Sequence, residues 1–288
     1  MVLAGVGVAS YLFGLYSYPR ALWPSNVLRG LGDSIRSAGM RDDFGRLVTY
    51  PGKIERPCPA QAEGTGVILA IGQSNVANHA ARRVTTRHGD RVLSYFNGKC
   101  HISASPLLGA TSDAGEYLTM LADRLVDDGV YGTVIIVSSG IGGTPIARWQ
   151  RNGDLNAMLM ATLRDLSIRY RVTDVIWHQG ESDVANATTS EAYTAAFASL
   201  VASLTENGVN APIYTSVSTR CGISWNADNP IARAQRSLAR DKRVHVAADT
   251  DALLAPEDRD DTCHLSESGQ RKVATAYARA IRNVRNAP

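Results

Sequence analysis

The 288-residue chain is easiest to place first by what it lacks. Its four cysteines, Cys58, Cys100, Cys221 and Cys263, form no C-x-x-C pair, which excludes a zinc ribbon and a thioredoxin-like redox site. There is no H-E-x-x-H or comparable ligand cluster and no Walker A sequence, so no metal and no cofactor is expected. Charge of one sign is nowhere concentrated: 30 basic and 27 acidic residues leave a net +3 spread along the chain. Binding to a phosphate backbone needs a basic stripe, so nucleic acid is not an expected partner. Repeats and low-complexity segments are absent as well. What remains, with 44% hydrophobic residues, suits one large core.

Charge is also missing from the first stretch, Val2 to Ser17, which ends in Tyr16 and Tyr18 and is followed by Trp23. That pattern reads as a membrane segment with interfacial aromatics, and residues 1–18 are expected to be an uncleaved anchor. The stretch falls short of the roughly 20 residues that span a bilayer comfortably, and a buried N-terminal helix is the alternative. Arg20, Arg29, Arg36 and Arg41 follow it and would favour a cytoplasmic domain, against the periplasmic or extracytoplasmic placement that an export-like start suggests. Residues 19–62, with Pro, Gly and alternating charges but no sustained periodicity, read as a juxtamembrane linker. The catalytic domain is expected over 63–288.

Within that domain short apolar runs bounded by turn residues recur at Gly66–Gly72, Thr133–Ser138, Asp174–Trp177, Pro212–Val217 and, more faintly, Val244–Ala247. Each reads as a strand buried on both faces. Helical patterns lie between and after them, at Glu116–Asp127, Leu155–Tyr170, Ser190–Asn207, Ile231–Ala239 and Glu267–Asn286. Strands alternating with helices predict an α/β fold whose parallel sheet is covered on both faces. Asn97-Gly98 predicts a hairpin turn in the excursion after the first strand.

Ligands of open parallel sheets bind beyond the carboxyl ends of the strands, so the residues after each apolar run carry the argument. Gly72-Gln73-Ser74-Asn75 puts a hydroxyl at a strand-to-helix turn, where freed backbone N–H groups can face a developing oxyanion. A serine there also commonly just caps a helix. Asp261-Thr262-Cys263-His264 precedes the last helix, and an Asp three residues before a His can turn back onto imidazole Nδ1, leaving Nε2 to take a proton from serine. Taken alone, this acidic loop would equally read as an exposed or calcium-binding turn. Trp177-His178-Gln179-Gly180-Glu181-Ser182-Asp183 supplies an amide for the oxyanion and a carboxylate, Glu181, to orient it. His178 is a poor base because no carboxylate sits at a short, directed spacing from it.

Other motifs fail. The segment around Ser74 lacks the second glycine of the α/β-hydrolase elbow. Gly140-Ile-Gly-Gly-Thr-Pro145 lacks the third glycine of a dinucleotide loop, and Pro145 intrudes.

Together the blocks Gly72-Gln-Ser-Asn75, His178-Gln-Gly-Glu-Ser-Asp183 and Asp261-Thr-Cys-His264 resemble the signature blocks of the SGNH hydrolase superfamily, specifically its sialate O-acetylesterase and carbohydrate esterase family 6 branch. Gly140 to Trp149 is similar to the Gly-Gly-Thr turn that lines the pocket in that branch. The likeness runs from about Gly66 to Ala276. It implies a three-layer α/β/α sandwich around a parallel, about five-stranded, flavodoxin-like sheet. It implies Ser74 as nucleophile, His264 as general acid and base, and Asp261 as its partner. The oxyanion hole would be the Ser74 amide, a glycine amide from the second block and the Gln179 side chain. Gly115 is the expected second-block glycine and Gly109 the alternative. Asn75, Gly143, Thr144 and Glu181 would line the pocket or support its loops.

The implied substrate is an O-acetylated glycan or other small acyl ester. Acyl transfer to a sugar hydroxyl and a non-catalytic glycan-binding module remain the rival readings. Trp149, Arg148 and Trp225 are further candidates for contact with a sugar ring. Of three connectivities, the disulfides Cys58–Cys100 and Cys221–Cys263 are favoured because each would pin a loop beside the site. Four free core thiols are the alternative.

Overall fold

The computed structural model describes residues 40–222 and 225–287. The anchor expected at 1–18 and residues 19–39 of the linker expected over 19–62 lie outside them. Among the described residues no helix is long and apolar enough to cross a membrane. The chain divides into units 1–42 and 43–288, and the second holds every strand and helix of the described residues.

One eight-stranded sheet runs through this unit. Its strands are β1 (Glu55–Arg56), β2 (Thr65–Gly72), β3 (Val92–Phe96), β4 (Lys99–Ile102), β5 (Thr133–Ser138), β6 (Asp174–His178), β7 (Ile213–Val217) and β8 (Val244–Asp249), in the order β1-β4-β3-β5-β2-β6-β7-β8. From β3 to β8 the pairs are parallel, whereas β4 and β1 add antiparallel strands at one edge. The five strands expected from the apolar runs are β2, β5, β6, β7 and β8, and they lie side by side in the flavodoxin-like order with β2 between β5 and β6. The connections from the carboxyl ends of β2 and its neighbour β6 therefore run in opposite directions, and a crevice opens between them.

The helices are α1 (Leu118–Asp127), α2 (Asp154–Ser167), α3 (Glu181–Ala185), α4 (Ser190–Glu206), α5 (Pro230–Ser237), α6 (Thr250–Leu253) and α7 (Glu267–Arg285). Because side chains alternate along a strand, Val67, Leu69 and Ile71 of β2 pack on the face covered by α2, α4 and α5, while Ile68 and Ala70 pack toward α1 and α7. This is why β2 reads as a continuous apolar run with every residue buried. Truncating one of these side chains, such as Leu69→Ala, would cost about 2–5 kcal/mol. Ser266 caps α7 through its hydroxyl, which accepts from the Gly269 N–H, and so fixes where the preceding loop ends.

The predicted turn at Asn97-Gly98 joins β3 to β4, and both residues have positive φ, 47° and 77°, as a two-residue hairpin requires. Residues 43–62 are not linker. Leu47 is fully buried and exchanges backbone hydrogen bonds with Gly109 and Ala110, β1 pairs with β4, and Cys58 is bonded to Cys100. The missing periodicity of this segment is real, but edge pairing through backbone groups needs none.

Candidate active site

The carboxyl end of β2 is clamped by its neighbours: the Gln73 N–H donates to the His178 carbonyl at 3.0 Å, and the Ile141 N–H donates to the Gly72 carbonyl at 2.9 Å. Gly72 has φ +132°, and a Cβ there would lie 2.1 Å from the His178 carbonyl oxygen. Only glycine allows so close an approach. The chain then turns at once into a single 3₁₀ turn, Ser74–Val76, which carries Ser74 to the crevice.

The second half of the site is the loop between α6 and α7. Thr262 adopts the left-handed conformation, φ 69°, and reverses the chain. Asp261 Oδ1 then accepts from the backbone N–H groups of His264 at 2.7 Å and Cys263 at 3.2 Å, while Oδ2 lies 2.7 Å from His264 Nδ1. An ionised carboxylate can only accept, so Nδ1 carries the proton and Nε2 is the free base. Burial pushes the Asp261 carboxyl up, but these donors from His264 and Cys263 outweigh it and hold the group below the usual carboxylate range.

Ser74 and His264 line one cleft of about 450 Å³, together with Gly143, Glu181, Thr219 and Trp225. The disulfide Cys221–Cys263 forms part of its wall. The other disulfide, Cys58–Cys100, is also present and secures the β1–β4 edge. Both match the favoured connectivity.

Several expected residues have other work. Gly115 donates its N–H to the Ala80 carbonyl at 2.7 Å, and Gly109 donates to the Leu47 carbonyl at 2.8 Å, so neither amide is available to an oxyanion. The glycine that reaches the cleft is Gly143, in the turn after β5, with φ +69°. Among the described residues no backbone acceptor takes its N–H or that of Ser74.

Gln179 is fully buried behind the cleft. Its Nε2 donates to Asp183 Oδ2 at 2.5 Å, the Thr144 carbonyl at 3.1 Å and Gln73 Oε1 at 3.2 Å, which occupies both N–H groups. The expectation of a Gln179 oxyanion donor is therefore corrected: the amide ties the β6 end to the turn that carries Ser74 instead. Asn75 and Thr144 are likewise supports. Asn75 Nδ2 donates to Glu181 Oε1 at 2.9 Å and the Cys263 carbonyl at 3.4 Å, and Thr144 Oγ1 accepts from Trp149 Nε1 at 3.1 Å. Trp149 packs edge-to-face on Trp177 inside the core, and Arg148 pairs with Asp154 at the surface. Of the three candidate sugar contacts only Trp225 lines the cleft.

Two residues escaped the sequence reading. His79 lines the cleft and stacks on His264, with ring centroids 5.1 Å apart and planes 23° from parallel. Its one signal is its place five residues after Ser74. Arg259, buried although charged, donates to the carbonyls of Cys263 at 2.8 Å, Thr250 at 3.2 Å and Arg220 at 3.4 Å. It braces the loop that presents His264, and no motif marks it. His178, rejected as the base, is sealed between Tyr117 and Ser218, and burial lowers its pKa to about 3.

Known proteins give this geometry its context. The carbohydrate esterase, sialic acid-specific acetylesterase family matches residues 64–283. A protein from Arabidopsis thaliana has a similar structure, with TM-score 0.60 and 17% identity over 77% of this chain and 98% of its own. A carbohydrate acetylesterase from Xanthomonas citri is similar at TM-score 0.53 and 17% identity, over 76% of this chain and 56% of its own. No curated protein sequence matches significantly. The structural likenesses establish the three-layer fold, and the family match spans all the blocks that carry Ser74, Asp261 and His264. The chain is thus a carboxylic ester hydrolase and belongs to the carbohydrate esterase, sialic acid-specific acetylesterase family.

Proposed function

We propose that the protein removes acetyl groups from a carbohydrate through an acyl-enzyme on Ser74. The observation that carries this is the meeting, in one cleft, of a serine at the end of the central strand with a histidine whose Nδ1 lies 2.7 Å from Asp261 Oδ2. His264 Nε2 takes the Ser74 proton as Oγ bonds to the ester carbonyl carbon. The carbonyl electron pair moves onto oxygen, where the Ser74 and Gly143 N–H groups donate to it. Collapse of this intermediate breaks the bond to the sugar oxygen, which leaves with the proton from His264. Water, deprotonated by the same nitrogen, then attacks the acetyl-serine, and acetate departs as Ser74 regains its proton.

The two disulfides support a place outside the reducing cytoplasm, in the periplasm or beyond. Attachment to a membrane through residues 1–18 rests on the sequence pattern alone.

Ser74→Ala is expected to abolish acetate release from p-nitrophenyl acetate and from O-acetylated glycans, and to block labelling by a fluorophosphonate. A folded Ser74→Ala variant that keeps most of the activity refutes the assignment. The glycan class would follow from the same acetate-release assay across acetylated sialic acid, xylan and bacterial surface polysaccharide.

A further inference from the structure

Asp261 holds the His264 ring at one atom. With Nδ1 on Oδ2 and the backbone N–H on Oδ1, the ring can still tilt about the line from Cβ to Nδ1, which swings Nε2 along an arc. Neither contact touches the face of the ring, and the Asp261 side chain is itself 54% exposed.

His79 meets that face. Its ring stacks on His264 with centroids 5.1 Å apart and planes 23° from parallel, and it sits on the segment that carries the nucleophile. That segment is held on both sides of His79. Before it, the buried Asn78 side chain accepts from the Leu107 N–H at 2.8 Å and donates to the Leu107 carbonyl at 2.9 Å. After it, Ala80 exchanges backbone hydrogen bonds with Gly115 at 3.0 and 2.7 Å. Gly142 borders the ring: a Cβ there would lie 2.7 Å from His79 Nε2, so the absent side chain leaves the space that the imidazole occupies.

The same stretch also grips the chain beyond His264. The Ala81 N–H donates to the Leu265 carbonyl at 2.9 Å. The Arg82 N–H donates to Gln270 Oε1 at 3.0 Å, and Gln270 Nε2 returns a bond to the Arg82 carbonyl at 2.9 Å. Residues 74–82 therefore carry Ser74 and, a few residues on, a hydrogen-bonded ledge for the residues that follow His264.

We propose that His79 is a positioning residue, whose ring face sets the tilt of the His264 imidazole and so keeps Nε2 aimed at the nucleophile. It acts through its plane, not through a proton. This role rests on the reading of Ser74 and His264 as nucleophile and base. A misplacement of about 1 Å can cost about 10²-fold in rate, so losing the stack while Asp261 stays in place should cost roughly ten- to a hundredfold.

The test pairs kinetics of His79→Ala and His79→Phe on p-nitrophenyl acetate with the His264 ring resonances of protein carrying isotope-labelled histidine. In wild type the His79 ring current should shift the His264 ring protons upfield, while the ring nitrogens report a proton on Nδ1. His79→Ala should lose that shift, keep the tautomer that Asp261 fixes, and lower kcat roughly ten- to a hundredfold with KM within roughly threefold. His79→Phe keeps an aromatic face without a nitrogen, and should hold both the shift and, within roughly threefold, kcat. A variant that loses the shift but keeps kcat, or keeps the shift but loses kcat, overturns the proposal. So does a rise in KM with kcat intact, which would make His79 a substrate contact. The resonances need no turnover and also report that each variant is folded. Ser74→Ala in the same assay keeps the two failures apart: activity surviving there refutes the esterase mechanism, whereas activity lost there but untouched in His79→Ala refutes only the role of His79.

Discussion

Acid should destabilise this protein through His178 in a way that can be worked out in advance. Burial lowers the His178 imidazole from 6.5 to about 3, because a charged ring sealed between Tyr117 and Ser218 would lose its hydration, and the positive charge of Arg259 opposes it as well. A folded-state pKa below the unfolded one means that the stability is fully present above about 6.5 and is lost as pH falls toward 3. Each pH unit in which only the unfolded chain is protonated costs about 1.4 kcal/mol. At about pH 5 the loss is therefore about 2 kcal/mol, and it is insensitive to the folded value, since the folded ring is neutral there in either case.

Glu116, Asp174 and Glu181 work in the opposite direction, because burial raises them and the folded state gains protons as pH falls. The contribution of His178 must therefore be read as a difference between wild type and His178→Asn. Urea unfolding of both from about pH 8 to about pH 5 should show the variant closing the gap on wild type by about 2 kcal/mol. Parallel curves would mean that His178 is not the buried neutral ring described, and would refute the reasoning.

Other changes test the site from different sides. Gly72→Ala drives a Cβ against the His178 backbone and should cost about 2–4 kcal/mol together with most activity, as thermal melting and ester hydrolysis would report. Asp261→Asn should lower kcat by roughly 10²–10⁴-fold with little change in stability, because it removes the acceptor that fixes the His264 tautomer on a half-exposed loop. Each disulfide spans 42 residues, so reduction should remove up to about 4 kcal/mol per bond. Four cysteines that alkylate without reductant would contradict both bonds. Trp225→Ala should raise KM for acetylated sugars more than for p-nitrophenyl acetate, since Trp225 lines the cleft and is held there by Thr219 at 2.9 Å.

The sequence by itself determined the parts whose signal is local. Five apolar runs are five adjacent parallel strands, because β2, β5, β6 and β7 are buried on nearly all of both faces and so consist mostly of apolar residues, while β8, at the sheet edge, is only half buried and gives the faintest run. Asn97-Gly98 fixed a hairpin turn because its two positive φ angles are cheap only for such residues. The spacing Asp261-x-x-His264 gave the ring–carboxylate contact because one tight loop brings the two together.

Tertiary structure decided which donors remain for a substrate. Gly115 and Gly143 are equally plain glycines in sequence, but Ala80 takes the N–H of the first while the second reaches the cleft. Gln179 stands where an oxyanion amide was expected, and Asp183 and the Thr144 carbonyl claim it. The edge strands β1, β3 and β4, the stacking of His79 on His264, and the bracing by Arg259 of the loop that carries His264 also depend on partners far along the chain. A residue type states what a group can donate or accept. Only the folded chain states whether that capacity is already spent.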